Sequence, residues 1–247
     1  LYNGLNFVQY KLNNSQSFFS FRNGESNNEN YNINIGRNSV DQLNLPRQGS
    51  NFLFSLKLSP PYSMFDDVDD YSKLTDQEKY EWVEYYKWKF KATWFSPFTD
   101  KLVLATRTEF GFLGAYNEEL GISPFERFYV GGDGLSGMGY MNDGRELVSL
   151  RGYSNNSISP QTGATIYNKY TAELRYALSL NPSSTMYALA FVEAGNAWEK
   201  FDNFNPFGVK RTVGIGVKIM LPMIGMMGLD YGWGLDEIPG NPDANGG

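Results

Sequence analysis

The sequence predicts an all-β chain, a transmembrane antiparallel β-barrel, and three observations carry the prediction. Apolar and polar residues alternate with period two over long segments, which puts alternate side chains on opposite faces of a sheet. These segments run to about ten residues or more, the length a tilted strand needs to cross the hydrocarbon. Their ends carry Tyr86, Trp94, Phe95, Phe98, Tyr187, Trp198 and Trp233, as in an interfacial girdle, and short turns alternate with long loops. A soluble sandwich also alternates, but strand length, girdle and loop asymmetry favour the barrel, whose charged face lines a wet lumen.

Taken in order, strand-like segments fall near 3–12, 17–22 with 31–40, and 49–60. The Asn-rich Gly24–Asn30 reads as a polar connection, and in the third segment Phe52, Phe54, Leu56 and Leu58 oppose Asn51, Ser55, Lys57 and Ser59. Asp66–Lys79 is acidic and unpatterned, a loop with a short helix begun by Thr75; it lacks the ligand spacing and central glycine of a calcium loop. In 80–96, Trp88, Phe90, Ala92 and Trp94 oppose Lys87, Lys89, Lys91 and Thr93; in 101–114, Leu102, Leu104, Phe110 and Phe112 oppose Ala105, Arg107, Glu109 and Gly111.

A long glycine-rich connection, 125–160, follows. Loops of this length inside a domain are functional or disordered, and this one keeps Phe128, Tyr129, Leu150 and Tyr153 among glycines that include Gly131 and Gly132, so it reads as built to pack. In 168–180, Leu174, Tyr176, Leu178 and Leu180 oppose Thr171, Glu173, Arg175 and Ser179, whereas both faces of 185–199 are mixed. After a polar connection at Asp202–Val209, Val213, Ile215, Val217, Ile219 and Leu221 oppose Thr212, Gly214, Gly216, Lys218 and Met220; Pro222–Gly225 turns. In 227–237, Met227, Leu229, Tyr231, Trp233 and Leu235 oppose Gly228, Asp230, Gly232, Gly234 and Asp236. Nothing after Leu235 supplies a closing strand, and an open edge is untenable in lipid; with Leu rather than Met first, the chain reads as an internal piece of a longer one.

Composition narrows function. The 247 residues contain no Cys and no His and carry a net charge of -6, which removes thiolate chemistry, the commonest metal ligand and acid–base group, and argues against nucleic acid. No enzyme activity, cofactor or metal is expected. Mean hydropathy is -0.42 without a long apolar run, which excludes a spanning helix but not spanning strands.

Five stretches together resemble the C-terminal barrel half of the BamA family of outer-membrane protein assembly factors over about residues 31–240. FERFYVGGDGLSG (125–137) and SLRGY (149–153) resemble its sixth extracellular loop and that loop's RG(F/Y) tip. GRNSVDQLNLPRQGS (36–50) resembles a strand-turn-strand carrying Arg37, Ser39, Asp41, Pro46 and Gly49. FVEAGNAW (191–198) and VGIGVKIMLPMIGMMGLDYGWGLD (213–236) resemble strands near the C-terminus. The connection GMGYMNDGREL (137–147) and the Asn-rich loops suggest a Bacteroidota-like source.

The resemblance implies a barrel of roughly sixteen strands, within the even-numbered range of such proteins, of which this chain carries about the last nine without the closing strand. POTRA domains and the first barrel strands lie outside it. It implies insertion of unfolded outer-membrane proteins without ATP, with periplasmic and surface accessory lipoproteins, outer-membrane lipid and lipopolysaccharide as partners. It also implies that the loop folds into the lumen, where Arg151, beside Gly152 and Tyr153, pairs with Glu173 or Glu193. Removing one partner of such a shielded pair would cost roughly 3–5 kcal/mol, against about 0–1 kcal/mol for an exposed pair, and a charge swap of Arg151 with Glu173 would partly restore it. Rival readings are a TamA-like factor or two-partner-secretion transporter of the same superfamily, and a porin or TonB-dependent receptor.

Overall fold

The computed structural model describes residues 1–13, 21–42, 45–66, 68, 70–134, 144–181, 184–221 and 223–239. Nine strands form one antiparallel sheet: β1 (Tyr2–Leu12), β2 (Gly24–Asn38), β3 (Gly49–Leu58), β4 (Tyr86–Pro97), β5 (Leu102–Gly114), β8 (Ile166–Asn181), β9 (Ser184–Trp198), β10 (Lys210–Leu221) and β11 (Gly225–Gly234). Between β5 and β8, β6 (Phe128–Val130) and β7 (Glu146–Val148) pair in parallel as a separate ribbon. The sheet is an open barrel wall: β1 and β11 are not joined to each other.

Register fixes the faces. Lys57 of β3 pairs with Lys87 of β4, Lys91 with Glu109 of β5, Glu109 with Lys169 of β8, Thr171 with Glu193 of β9, and Glu193 with Thr212 of β10. These residues therefore share one face, toward the ribbon. The opposite face presents Leu174, Tyr176, Val192, Ile215, Val217, Leu229 and Trp233, all exposed, the apolar band a bilayer would cover. The mixed strand resolves the same way: Tyr187, Leu189, Phe191 and Glu193 of β9 point inward and are buried.

The expected split strand at 17–22 with 31–40 is instead the continuous β2, and Gly24–Asn30, expected as a connection, is strand; residues 14–20 lie outside the described residues. Its polarity hid it. Ser26, Asn28, Asn30 and Asn32 face inward and are buried, with Asn32 Nδ2 donating to Asn30 Oδ1 and Asn30 Nδ2 to Asn28 Oδ1, both at 3.0 Å. The strand expected from residue 80 begins at Tyr86, because Asn27 hydrogen-bonds the chain at Glu81 and Val83 before β4 starts. Two girdle assignments fail: Tyr187 faces inward, and Phe95 shares the inner register and lies 5.5 Å from the Arg175 guanidinium. Thr75 caps a single helical turn, Asp76–Lys79, through a reciprocal capping box with Glu78.

Two packed clusters fill the concave side. One joins Phe125, Phe128, Val130, Val148, Leu150 and Tyr153 of the β5–β8 connection to Leu113, Tyr167 and Ala197 of the wall. The other joins Leu45, in the short turn between β2 and β3, to Ala177, Tyr187, Leu189 and Phe191.

Candidate functional site

The β5–β8 connection knits itself before it meets the wall. Phe128 and Ala164 exchange backbone hydrogen bonds at 2.8 Å, Gly131 N donates to Val148 O, and Leu150 N donates to Gly132 O. Phe128 and Tyr129 are buried, and the Phe128 ring meets Tyr167 of β8 at 4.7 Å. Gly132, at φ +77°, has no room for a Cβ against Asn155.

This scaffold aims the tip. Gly152, at φ +85°, turns the backbone so that Arg151 points at the wall, and a Cβ there would lie 2.9 Å from Gly234 N. Arg151 Nη2 reaches Glu173 Oε1 at 2.8 Å and Glu193 Oε1 at 2.7 Å, and Nη1 reaches Asp230 Oδ2 at 3.0 Å. Its backbone N donates to Glu193 Oε2 at 3.0 Å, and its guanidinium lies 3.6 Å over the Phe191 ring. Tyr153 Oη donates to Arg211 O at 2.8 Å and accepts from Asp236 N at 3.2 Å.

Each carboxylate has a second cation. Arg175 holds Glu173 at 2.5 Å, Lys169 holds Glu193 at 3.1 Å and Lys218 holds Asp230 at 2.6 Å. Burial disfavours the Arg151 charge, but Glu193 and then Glu173 outweigh it and hold the guanidinium more firmly protonated than in water. The floor under the tip is glycine: a Cβ at Gly234 would lie 2.8 Å from Gly152 O, and one at Gly232 3.0 Å from Gly152 N.

A second ionic cluster holds the same connection at its root. Lys87 of β4, whose side chain is 1% exposed, donates to Glu126 Oε2 at 2.9 Å and Glu126 O at 2.7 Å, and pairs with Glu146 Oε2 at 2.6 Å. Lys57 adds to Glu126 at 3.1 Å and Lys89 to Glu146 at 2.8 Å, while Asn28 donates to Glu126 Oε1 at 3.4 Å. Burial would raise the Glu146 carboxyl, yet the Lys87 and Lys89 charges bring it from 4.5 to about 2. Glu126 is likewise lowered by Lys87 and Lys57 against the effect of burial.

Residues 1–245 match the family model described as the Omp85 superfamily domain. The chain belongs to the Omp85 superfamily. Its fold matches the crystal structure of BamA from Haemophilus ducreyi lacking POTRA domains 1–3, with a TM-score of 0.61 and 18% identity over 86% of this chain. The match covers 40% of that structure, so this Omp85 chain spans less than half its length. No curated protein sequence matches.

Of the residues singled out in the sequence, the Omp85 wall and loop bring Arg151, Gly152, Glu173 and Glu193 into one cluster, with Tyr153 beside them on Arg211 and Asp236. Phe128, Tyr129, Gly131 and Gly132 lie in the loop scaffold. The strand-turn residues stand apart. Ser39 N and Oγ donate to Ser50 O, Asp41 Oδ1 accepts from Arg47 N at 2.9 Å, Gly49 adopts φ +102°, and Arg37 is exposed. Pro46 is half-buried. Asp230, Lys169, Lys218 and Phe191 were not singled out, although Asp230 and Lys218 sat on the polar face of their alternations. Glu126 and Glu146 carried no signal, since nothing in a loop's sequence says which wall residue it meets.

Proposed function

We propose that this chain is the C-terminal barrel part of a BamA-type assembly factor, which folds and inserts outer-membrane proteins without ATP and without enzymatic chemistry. The observation that carries the reading is the Arg-Gly-Tyr tip of the β5–β8 connection, seated on carboxylates from β8, β9 and β11. A porin needs charged lumen residues, but it has no need of a loop tip fastened to its last strands. The mechanism is physical: a substrate strand entering lipid must have its backbone groups paired, and an openable seam offers an edge for strand addition. In this reading the tip braces the wall near that seam, while the seam's own strands and the POTRA domains belong to the rest of the protein.

The partners proposed are unfolded outer-membrane proteins, accessory lipoproteins, and outer-membrane lipid and lipopolysaccharide. The 137–147 connection supports a Bacteroidota-like source, although 137–143 lie outside the described residues. Depletion of the full-length protein in its host, with quantification of the outer-membrane proteome, tests the reading. Broad loss of β-barrel proteins is expected; loss of one secreted protein or one uptake activity, with other barrels intact, would replace it with a transporter reading.

A further inference from the structure

Between the wall and the loop ribbon lies a cavity of about 320 Å³, lined by β3, β4, β5, β8 and the β7 segment. Its charges do not balance. Lys89, Lys91, Arg107 and Lys169 line it against Glu109 and Glu146. Both carboxylates are already engaged, Glu146 by Lys87 and Lys89 and Glu109 by Lys91 at a loose 3.4 Å. Lys169 turns to Glu193 outside the cavity at 3.1 Å, where Arg151 competes for the same oxygen. Arg107 has less: its Nε donates to Thr93 Oγ1 at 3.3 Å, and no ion pair to it is formed among the described residues. Its charge thus has no carboxylate partner among the described residues, in a recess that brings three further cations together.

Uncompensated cations in a confined site attract a counter-ion, and the planar guanidinium is suited to a two-pronged bond with an oxyanion. The register sets the geometry. Lys91 faces Glu109, Thr93 faces Arg107, and Glu109 faces Lys169, so Arg107, Lys91 and Lys169 surround one carboxylate on three adjacent strands. Ser149, hydrogen-bonded to Lys169 at 3.3 Å, adds a hydroxyl from the loop side.

We propose that this cavity is a binding site for a small tetrahedral oxyanion of the phosphate class, held by Arg107 and Lys91 and bordered by Lys169 and Ser149. An anion there touches both wall and loop, so its binding favours the docked loop.

The test is a calorimetric titration of inorganic phosphate into the full-length protein in detergent, at constant ionic strength, with sodium chloride as the control anion. Saturable phosphate binding in excess of chloride is expected, weakened about tenfold, the effect of about 1.4 kcal/mol, in Arg107→Gln. It should be weakened also in Lys91→Gln, whose half-exposed side chain makes that variant safe for folding, and unchanged in Lys101→Gln on the distant β4–β5 turn. Glycerol phosphate titrated in parallel separates free phosphate from a phosphomonoester carried on a larger molecule: binding of both assigns the ester, and binding of phosphate alone assigns the free ion. No binding beyond chloride, or equal binding by wild type, Arg107→Gln and Lys91→Gln, overturns the proposal.

Discussion

Arg151 is held by three carboxylates rather than one, and that changes what its removal does. Because Arg175, Lys169 and Lys218 stay on Glu173, Glu193 and Asp230, Arg151→Ala strands no buried charge. The loss is that of charge-assisted hydrogen bonds, about 2–3 kcal/mol of loop docking, at or below the foot of the range expected for a lone pair. Protease nicking of the β5–β8 connection should rise in this variant; equal nicking of wild type and variant would refute a docking role. A charge swap of Arg151 with Glu173 should give no rescue, since a glutamate at 151 would face Glu193 and Asp230. Gly234→Ala probes the same seat without touching a charge. Its Cβ would meet the Gly152 carbonyl at 2.8 Å, and about 1–3 kcal/mol of overpacking should lift the tip, read as increased hydrogen exchange at 151–153. Glu146 gives a pH dependence. A carboxyl lowered from 4.5 to about 2 contributes docking stability that is complete above pH 4.5 and is lost as pH falls toward 2. Pepsin digestion across that interval should cut the loop progressively faster toward the acid end; full release already at pH 5 would contradict the Lys87–Glu146 contact.

The β5–β8 connection is fixed at two places of opposite polarity. At its root the loop is acidic and the wall basic, Glu126 and Glu146 on Lys57, Lys87 and Lys89; at its tip the loop is basic and the wall acidic. A loop inverted or slid along the wall would set like charges together, so the arrangement specifies one docking register. The two anchors share no residue, so their effects should add. Lys87→Met and Arg151→Ala should each raise nicking of the loop in part, and the double variant should release it fully, as measured by limited proteolysis of folded, heat-modifiable protein. The two anchors differ in how far the sequence showed them. At the tip, period two put Glu173 on the polar face, whereas the pairing of Arg151 with Glu173 or Glu193 came from the family resemblance of the Arg-Gly-Tyr loop, because the loop has no period and both faces of 185–199 are mixed. The root was not legible, because Glu126 and Glu146 lie in segments without periodicity. β2 was missed for a related reason: its inward residues include Asn28, Asn30 and Asn32, so its first half shows no apolar face, and it is its pairing with β1 and β3 that makes it a strand.

At the scale of the molecule, alternation alone made the all-β antiparallel wall readable, with the direction of nearly every named side chain on β3, β4, β5, β10 and β11. β9 was not readable in this way, because it buries Tyr187, Leu189 and Phe191 toward the lumen, where a water-filled bore would want polar groups. Those residues have a purpose on the inner side. Phe191 carries the Arg151 guanidinium at the tip of the long connection, and it belongs to the same cluster as Leu45, from the turn at the opposite end of the wall. Segments entering from the two mouths thus meet on one group of side chains. The consequence is electrical: among the described residues, side chains from both ends of the wall occupy the inner side of β9, where an aqueous bore would otherwise run. Reconstituted in a planar bilayer, the full-length protein should pass only a small current under voltage, and Gly234→Ala, which loosens the upper segment, should make it flicker to larger steps.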